Sequence, residues 1–297
     1  MADRDLALTF AGGGNRAFYQ LGLLARLAPT LLERVGAVAA SSAGACVAIV
    51  LFAERKDATW EYWQRRRAGV TRNLEWKRVL RGRSPAPHGP IYRDTLLAAA
   101  ADGGLERIRA LPFPLLVTAS TFPRRVPAPL AAALGIAVYS LERQLFPKRL
   151  HPSLATRVGL RSVAFDAREC QTPDELADLV IASSSTPPFT PIGNYRSTRL
   201  LDGGLVDNVP ADLAESVLGV KKNLVLLTRP LGNGASLRKG ERLYLAPSAT
   251  LPVSRWDYTR PELVADTISM GERESELHAA AVESWLTDSW PKSSSHR

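Results

Sequence analysis

Val35-Gly36-Ala37-Val38-Ala39-Ala40-Ser41-Ser42-Ala43-Gly44-Ala45-Cys46-Val47-Ala48-Ile49-Val50-Leu51-Phe52 is uncharged throughout. On hydropathy alone the 19 residues from Val35 to Ala53 would be long enough to cross a bilayer. Gly36, Ser41, Ser42 and Gly44 interrupt the run, and predict a buried strand from Val35 to Ala39, a sharp turn, and a buried helix from Ala45 to Phe52. A serine on such a strand-to-helix turn has the context of a nucleophile elbow. The turn lifts the hydroxyl clear of the sheet and aims the positive end of the helix at it. Ser42 is therefore the candidate nucleophile. Ala40 stands where the GxSxG pattern has its first glycine; the position calls for a small side chain, and alanine adds one methyl. Taken alone, the stretch also reads as an ordinary turn in which Ser42 caps the helix.

Two further stretches decide between these readings. Leu6 to Phe10 predicts a short apolar strand that runs into Ala11-Gly12-Gly13-Gly14-Asn15-Arg16, and a helix follows from Ala17 to Leu32. Three glycines after a strand leave backbone N–H groups able to approach a ligand oxygen, as an oxyanion hole requires. Arg199-Leu200-Leu201-Asp202-Gly203-Gly204 places a carboxylate at the end of another apolar segment, with two glycines that let a second segment come close. Asp202 is the candidate base.

In this order along the chain, the three elements resemble the patatin-like family of lipid acyl hydrolases. The family's GGGxR loop is similar to Gly12 to Arg16, its GxSxG elbow to Ala40 to Gly44, and its DGG or DGA box to Asp202-Gly203-Gly204. The continuation Leu205-Val206-Asp207-Asn208-Val209-Pro210 is similar as well, while Ala40 and Ala17 stand where the family usually has glycine. Each motif alone is unspecific; together they carry the resemblance over residues 5–230. It implies a three-layer α/β/α fold with a mainly parallel central sheet. It further implies a Ser42–Asp202 dyad working without histidine through an acyl-enzyme, and an oxyanion hole at Gly12, Gly13 and Gly14. Arg16 would orient the loop or a substrate phosphate. The substrate would be a phospholipid or another fatty-acyl ester, with no cofactor and no metal.

Strands alternating with helices independently predict a mainly parallel sheet covered on both faces. Pro114 to Thr121, Ser162 to Ala167 and Asn223 to Thr228 read as further strands, and Tyr92 to Ala101 and Pro210 to Leu218 as helices. Thr172-Pro173-Asp174-Glu175 is a capping box that starts a helix to Ala182. The stretch Ser183 to Ile192 after it is similar to a family segment bordering the acyl pocket, with Phe189, Pro191 and Ile192 against a fatty chain. The expected organisation is a catalytic domain at 5–230 with a basic insert at 54–90 and a lid at 122–157. An extension at 231–290 packs on the same domain, and a disordered tail spans 291–297.

The formal net charge of +9 is local. Ten basic and four acidic residues lie between Glu54 and Arg83, and six basic and one acidic between Phe122 and Arg157. The first segment interleaves Trp60, Tyr62, Trp63 and Trp76 with arginines that include Arg65, Arg66 and Arg67, a mixture suited to an anionic membrane surface. The same pattern suits a solvated helix face with tryptophans turned to the core. No nucleic-acid module accompanies it, and no nucleic-acid partner is expected. Met1-Ala2-Asp3-Arg4-Asp5 leads directly into a strand without a signal-peptide pattern, so the expected location is cytoplasmic, with peripheral membrane contact. Cys46 and Cys170 have no paired spacing, and Cys46 reads as a buried small hydrophobe.

Three rival readings remain. A Ser42–Asp202–His278 triad has the usual residue order. An elbow already after the second strand argues against it, and His278, in a charged helical context from Glu272 to Trp285, is expected to be solvated. Dinucleotide binding would use Gly12 to Ala17 as GxGxxA, but needs an acid closing the second strand; Glu33 precedes that strand and none follows Ala39. A non-catalytic membrane-binding or regulatory protein on the same fold is opposed by the intact serine and aspartate.

Overall fold

The computed structural model describes residues 4–146, 149–151, 154–232 and 234–287; the tail at 291–297 lies outside the described residues. Near-continuous apolar composition makes β1 (Leu6–Phe10) and β2 (Val35–Ser41) central strands, buried on both faces. Helix α1 (Phe18–Leu31) joins them. After β2 come α2 (Ala43–Phe52), α3 (Lys56–Arg67), α4 (His88–Ala100), α5 (Gly104–Arg109) and β3 (Leu115–Thr121). Next are α6 (Ala128–Leu145), α7 (Leu154–Arg157), β4 (Arg161–Asp166) and α8 (Pro173–Ser183). The chain continues through β5 (Gly193–Tyr195), β6 (Thr198–Asp202), α9 (Ala211–Glu215) and β7 (Lys222–Leu226). It closes with β8 (Ser236–Lys239), β9 (Arg242–Leu245) and the long α10 (Pro261–Thr287).

The sheet order is β5-β6-β3-β2-β1-β7-β9-β8, with β4 also paired to β3. Its centre, β3-β2-β1-β7-β9, is parallel, and β4, β5, β6 and β8 add antiparallel margins. Side-chain size differs between the two faces of the central strands. Leu6, Leu8, Phe10 and Val38 pack with Leu23 of α1, Ile49 of α2 and Leu179 of α8. The other face carries Ala7, Ala37 and Ala39, against which the short α9 lies through Ala214. The capping box forms: Thr172 Oγ1 accepts from the Glu175 N–H at 3.1 Å.

Several expectations are corrected. Helix α4 begins at His88, four residues before the expected start, because Pro90 in its first turn has no N–H that the helix would need. The basic, aromatic insert does not present all its tryptophans to solvent. Trp60 and Trp63 stack at 5.3 Å, and Trp63 packs edge-on against Tyr258 at 5.6 Å, so Trp63 belongs to the interior and Trp60 lies half-buried against it. Arg66 is ion-paired with Asp94 at 2.6 Å and Arg67 donates to the Thr259 carbonyl, so these cations anchor α3. His278 is buried rather than solvated, with its ring hydrogen-bonded to the Ala246 backbone and its pKa lowered, chiefly by desolvation.

Helix α10 packs along α1, and one buried carboxylate links them. Glu274 accepts from the Tyr19 hydroxyl at 2.7 Å and from the Ser248 N–H at 3.1 Å. Glu274→Leu would leave the buried Tyr19 hydroxyl without its acceptor. It is expected to cost about 2–4 kcal/mol, read from urea unfolding; a loss below about 0.5 kcal/mol would show that the link contributes nothing.

Candidate active site

The candidate residues gather at the carboxyl ends of the central strands, where open α/β sheets bind ligands. Ser42 sits between β2 and α2 with φ 54° and ψ −131°, a conformation that costs an L-residue about 1–3 kcal/mol and projects the side chain out of the turn. Its N–H donates to Ser183 Oγ at 2.7 Å, which fixes the elbow against the end of α8. Gly44 is required here: a Cβ on it would lie 2.6 Å from the Phe10 carbonyl oxygen, so only glycine lets α2 start this close to β1. Ala40, by contrast, is a strand residue opposite Phe10 and Val117, and its methyl is absorbed in the core. Ser42 carries no side-chain cap to its helix, which removes the plain capping reading.

Ser42 Oγ donates to Asp202 Oδ2 at 2.8 Å, across 160 residues of sequence. Thr186 Oγ1 donates to the same oxygen at 2.9 Å, and the Gly204 N–H to Oδ1 at 2.7 Å. Burial pushes the Asp202 carboxyl above the ordinary carboxylate range. These three hydrogen bonds and the Arg255 charge act against that rise.

The glycine loop needs one correction. The Gly12 N–H donates to the Asn208 carbonyl at 3.1 Å and is not free for an oxyanion. The Gly12 carbonyl is held in turn by Thr228 Oγ1 at 2.8 Å and Asn208 Nδ2 at 3.3 Å. Gly12 is thus the anchor of the loop. The N–H groups of Gly13 and Gly14 have no acceptor among the described residues. Gly14 has φ 58°, and a Cβ there would lie 2.3 Å from the Arg255 carbonyl oxygen. Arg16 Nε reaches the Gly13 carbonyl at 3.4 Å, and its pKa is lowered to about 10, first by burial and then by Arg255. It remains a cation at neutral pH.

Two clefts meet at Ser42. The inner one is lined by Phe18, Cys46, Val47, Trp63, Tyr92 and Tyr258 among others. Burial pushes the Cys46 thiol up to about 12, so it acts there as an apolar wall. The outer cleft contains Asp202 and is bounded by Ile136 and Tyr139 of α6, by Phe189 and by Arg255. Of Phe189, Pro191 and Ile192, only Phe189 lines it, stacked on Trp256 at 4.6 Å. Pro191 lies against Gly89, and Ile192 packs in the cluster beneath α6. Sequence reading did not find Thr186, Asn208, Thr228 or Arg255 as site residues. Their types are common on any surface, and only the fold brings them to Ser42. Among the described residues no cluster of three or more His, Cys, Asp or Glu side chains could hold a metal ion.

The family model for patatin-like phospholipase matches residues 8–215, a span that includes the glycine loop, Ser42 and Asp202. The chain belongs to this family. Membership in the patatin-like phospholipases implies lipid hydrolase activity. No curated protein sequence matches significantly. Among solved structures, the chain is similar to VipD from Legionella pneumophila, with 11% identity, a TM-score of 0.47, and coverage of 95% of this chain and 67% of that one. It is also similar to human GIVD cytosolic phospholipase A2, with 11% identity, a TM-score of 0.46, and coverage of 95% and 62%.

The buried carboxylate has a stability consequence. A folded-state pKa above the unfolded value favours the fold below the ordinary carboxylate pKa. That contribution is lost as pH rises through the raised value, leaving the ionised group a net cost at neutral pH. Asp202→Asn keeps an oxygen for the Gly204 N–H and turns its amide toward two hydroxyls able to accept. Calorimetry should find it melting at or above wild type near about pH 8, with the advantage shrinking toward about pH 4. A variant less stable than wild type at about pH 8 would contradict the burial argument.

Proposed function

We propose that this patatin-like protein is a serine lipid acyl hydrolase, of phospholipase A or lysophospholipase type, that works through a Ser42–Asp202 dyad. The observation that carries the reading is the 2.8 Å hydrogen bond from Ser42 Oγ to Asp202 beside the unpartnered N–H groups of Gly13 and Gly14. The acyl chain lies in the inner aromatic and apolar cleft, and the alcohol part of the ester in the outer cleft. Asp202 takes the hydroxyl proton as Ser42 Oγ attacks the ester carbonyl. Gly13 and Gly14 donate to the developing oxyanion while Arg16 braces their loop. Collapse of the tetrahedral species gives an acyl-enzyme, and the proton passes from Asp202 to the departing alkoxide. Water then gives its proton to the same carboxylate and attacks the acyl carbon; the bond to Ser42 Oγ breaks, Oγ takes the proton back from Asp202, and the fatty acid is released.

A carboxylate is a weak base toward a hydroxyl, because their unperturbed pKa values lie far apart. Burial of Asp202 narrows the gap, and the oxyanion donors supply much of the remaining stabilisation. His278 takes no part: its hydrogen bond goes to the Ala246 backbone, and it is not among the groups that shift Asp202. The substrate is a phospholipid or another fatty-acyl ester, met in peripheral contact with a lipid surface.

A fluorophosphonate should label Ser42. Ser42→Ala and Asp202→Asn should each lower ester turnover by about 10⁴-fold, the double variant losing little more. His278→Gln, with folding checked by circular dichroism, should stay within about threefold of wild type. Near wild-type turnover in either dyad variant would sink the mechanism, and a large loss in His278→Gln would restore the triad.

The ionised form of Asp202 is the working base, so kcat/KM for a soluble ester should fall as pH drops through its raised pKa. The acid limb should therefore lie above the ordinary aspartate value of about 3.9. A limb at or below that value would contradict the role of burial in activating the dyad.

A further inference from the structure

A surface helix of a globular protein normally turns its charged residues outward. Helix α6 does the opposite. Every exposed position along its 18 residues is uncharged, with Leu130, Leu134, Leu141 and Leu145 on one side of the helix, the outermost two 59% exposed. Its acidic residue, Glu142, is buried and ion-paired to Arg149 at 2.7 Å. From Leu130 to Leu145 the apolar stripe is about 22 Å long at the rise of an α-helix. Arg124 and Arg125 precede it and form no ion pair among the described residues.

A second exposed apolar patch lies in the turn before α4, where Trp76 is 71% and Leu80 88% exposed. Around it Lys77, Arg81 and Arg83 lack acidic partners among the described residues. Each patch is joined to a segment that lines the outer cleft. Ile136 and Tyr139 of α6 form one part of the outer cleft's wall, and Pro187 to Phe189 a second. The Trp76 turn is fastened to that second part, because Ser84 Oγ donates to the Pro188 carbonyl at 2.7 Å.

We propose that the outer face of α6 and the Trp76–Leu80 turn insert together into the headgroup and acyl boundary of an anionic bilayer, so that the mouth of the Ser42 cleft opens onto the lipid. The proposal rests on the reading of that cleft as a lipid acyl hydrolase site. The apolar stripe supplies the buried area and the unpaired cations select the anionic surface. The backbone of α6 makes its own hydrogen bonds, so the helix can lie in the interface without unfolding. Among the described residues no helix is long and apolar enough to cross the membrane, so the contact is with one leaflet.

The experiment uses the full chain carrying Ser42→Ala, which consumes no lipid, and phosphatidylcholine vesicles with and without phosphatidylglycerol. A polarity-sensitive fluorophore is attached in turn at Leu134→Cys, Leu80→Cys and, as a control, Leu218→Cys; Leu218 is fully exposed. On anionic vesicles the first two labels should blue-shift and be quenched by lipid-borne quenchers, and the third should not. Leu134→Glu combined with Leu141→Glu should weaken partitioning by about tenfold or more. In the otherwise wild-type chain the same pair should leave hydrolysis of a short soluble ester unchanged.

No shift at Leu134, or unaltered partitioning of the double glutamate variant, would overturn the proposal. So would a shift that follows protein concentration without vesicles, since a second copy would then cover the face. A chain that hydrolyses the soluble ester but ignores vesicles would overturn the insertion alone, whereas one that binds vesicles but turns over no ester would support the insertion and overturn the dyad.

Discussion

Strand β3 is the template on which the site is assembled. It pairs with β2 along one stretch, Thr118 lying opposite Ser41, and with β6 just beyond, Ala119 lying opposite Asp202. Two consecutive residues of one strand therefore hold the end of the serine strand and the end of the aspartate strand side by side. The backbone ladder, not any side-chain attraction, brings Ser42 and Asp202 to 2.8 Å. Ser120 adds to this, donating through Oγ to the Asp202 carbonyl at 2.8 Å. Moving either strand by one residue would turn the candidate side chain to the other face of the sheet.

This assembly holds two unfavourable features in place. Ser42 has a positive φ that its neighbours must maintain, and Asp202 is a carboxylate withdrawn from water. Each is tied by several hydrogen bonds: the elbow by Ser183 Oγ, the carboxylate by Gly204, Thr186 and Ser42. The glycine loop is constrained likewise, with Gly12 clamped by Asn208 and Thr228 while the N–H groups of Gly13 and Gly14 have no acceptor among the described residues. Fixed donors beside a desolvated carboxylate are the arrangement that the proposed oxyanion chemistry needs, because little has to reorganise as charge develops.

Around that centre the chain sorts its apolar groups in two directions. Trp63, Tyr92 and Tyr258 turn inward and line the inner cleft, while Leu130, Leu134, Trp76 and Leu80 turn outward to solvent. Helix α6 serves both roles, with Tyr139 toward the cleft and leucines toward solvent. Arg255 and Trp256 join the site from the region beyond residue 230, so the last part of the chain is a working part of the cleft.

The sequence by itself determined the local chemistry: a serine on a strand-to-helix turn, a glycine loop after a strand, an aspartate before two glycines, and strands alternating with helices into a mainly parallel sheet. These are legible because each depends on residues adjacent in the chain, through turn sterics, periodicity and capping. Tertiary structure alone decided the rest. It spent the Gly12 N–H on Asn208, brought Thr186 and Arg255 to Asp202, buried His278, and turned Trp60 and Trp63 inward while leaving Trp76 outside. A hydrogen bond between residues far apart in sequence has no local signature. A basic, aromatic segment likewise has the same composition whether its rings pack on Phe18 and Tyr258 or face a membrane, and only the position of α3 against α1 and α4 distinguishes the two.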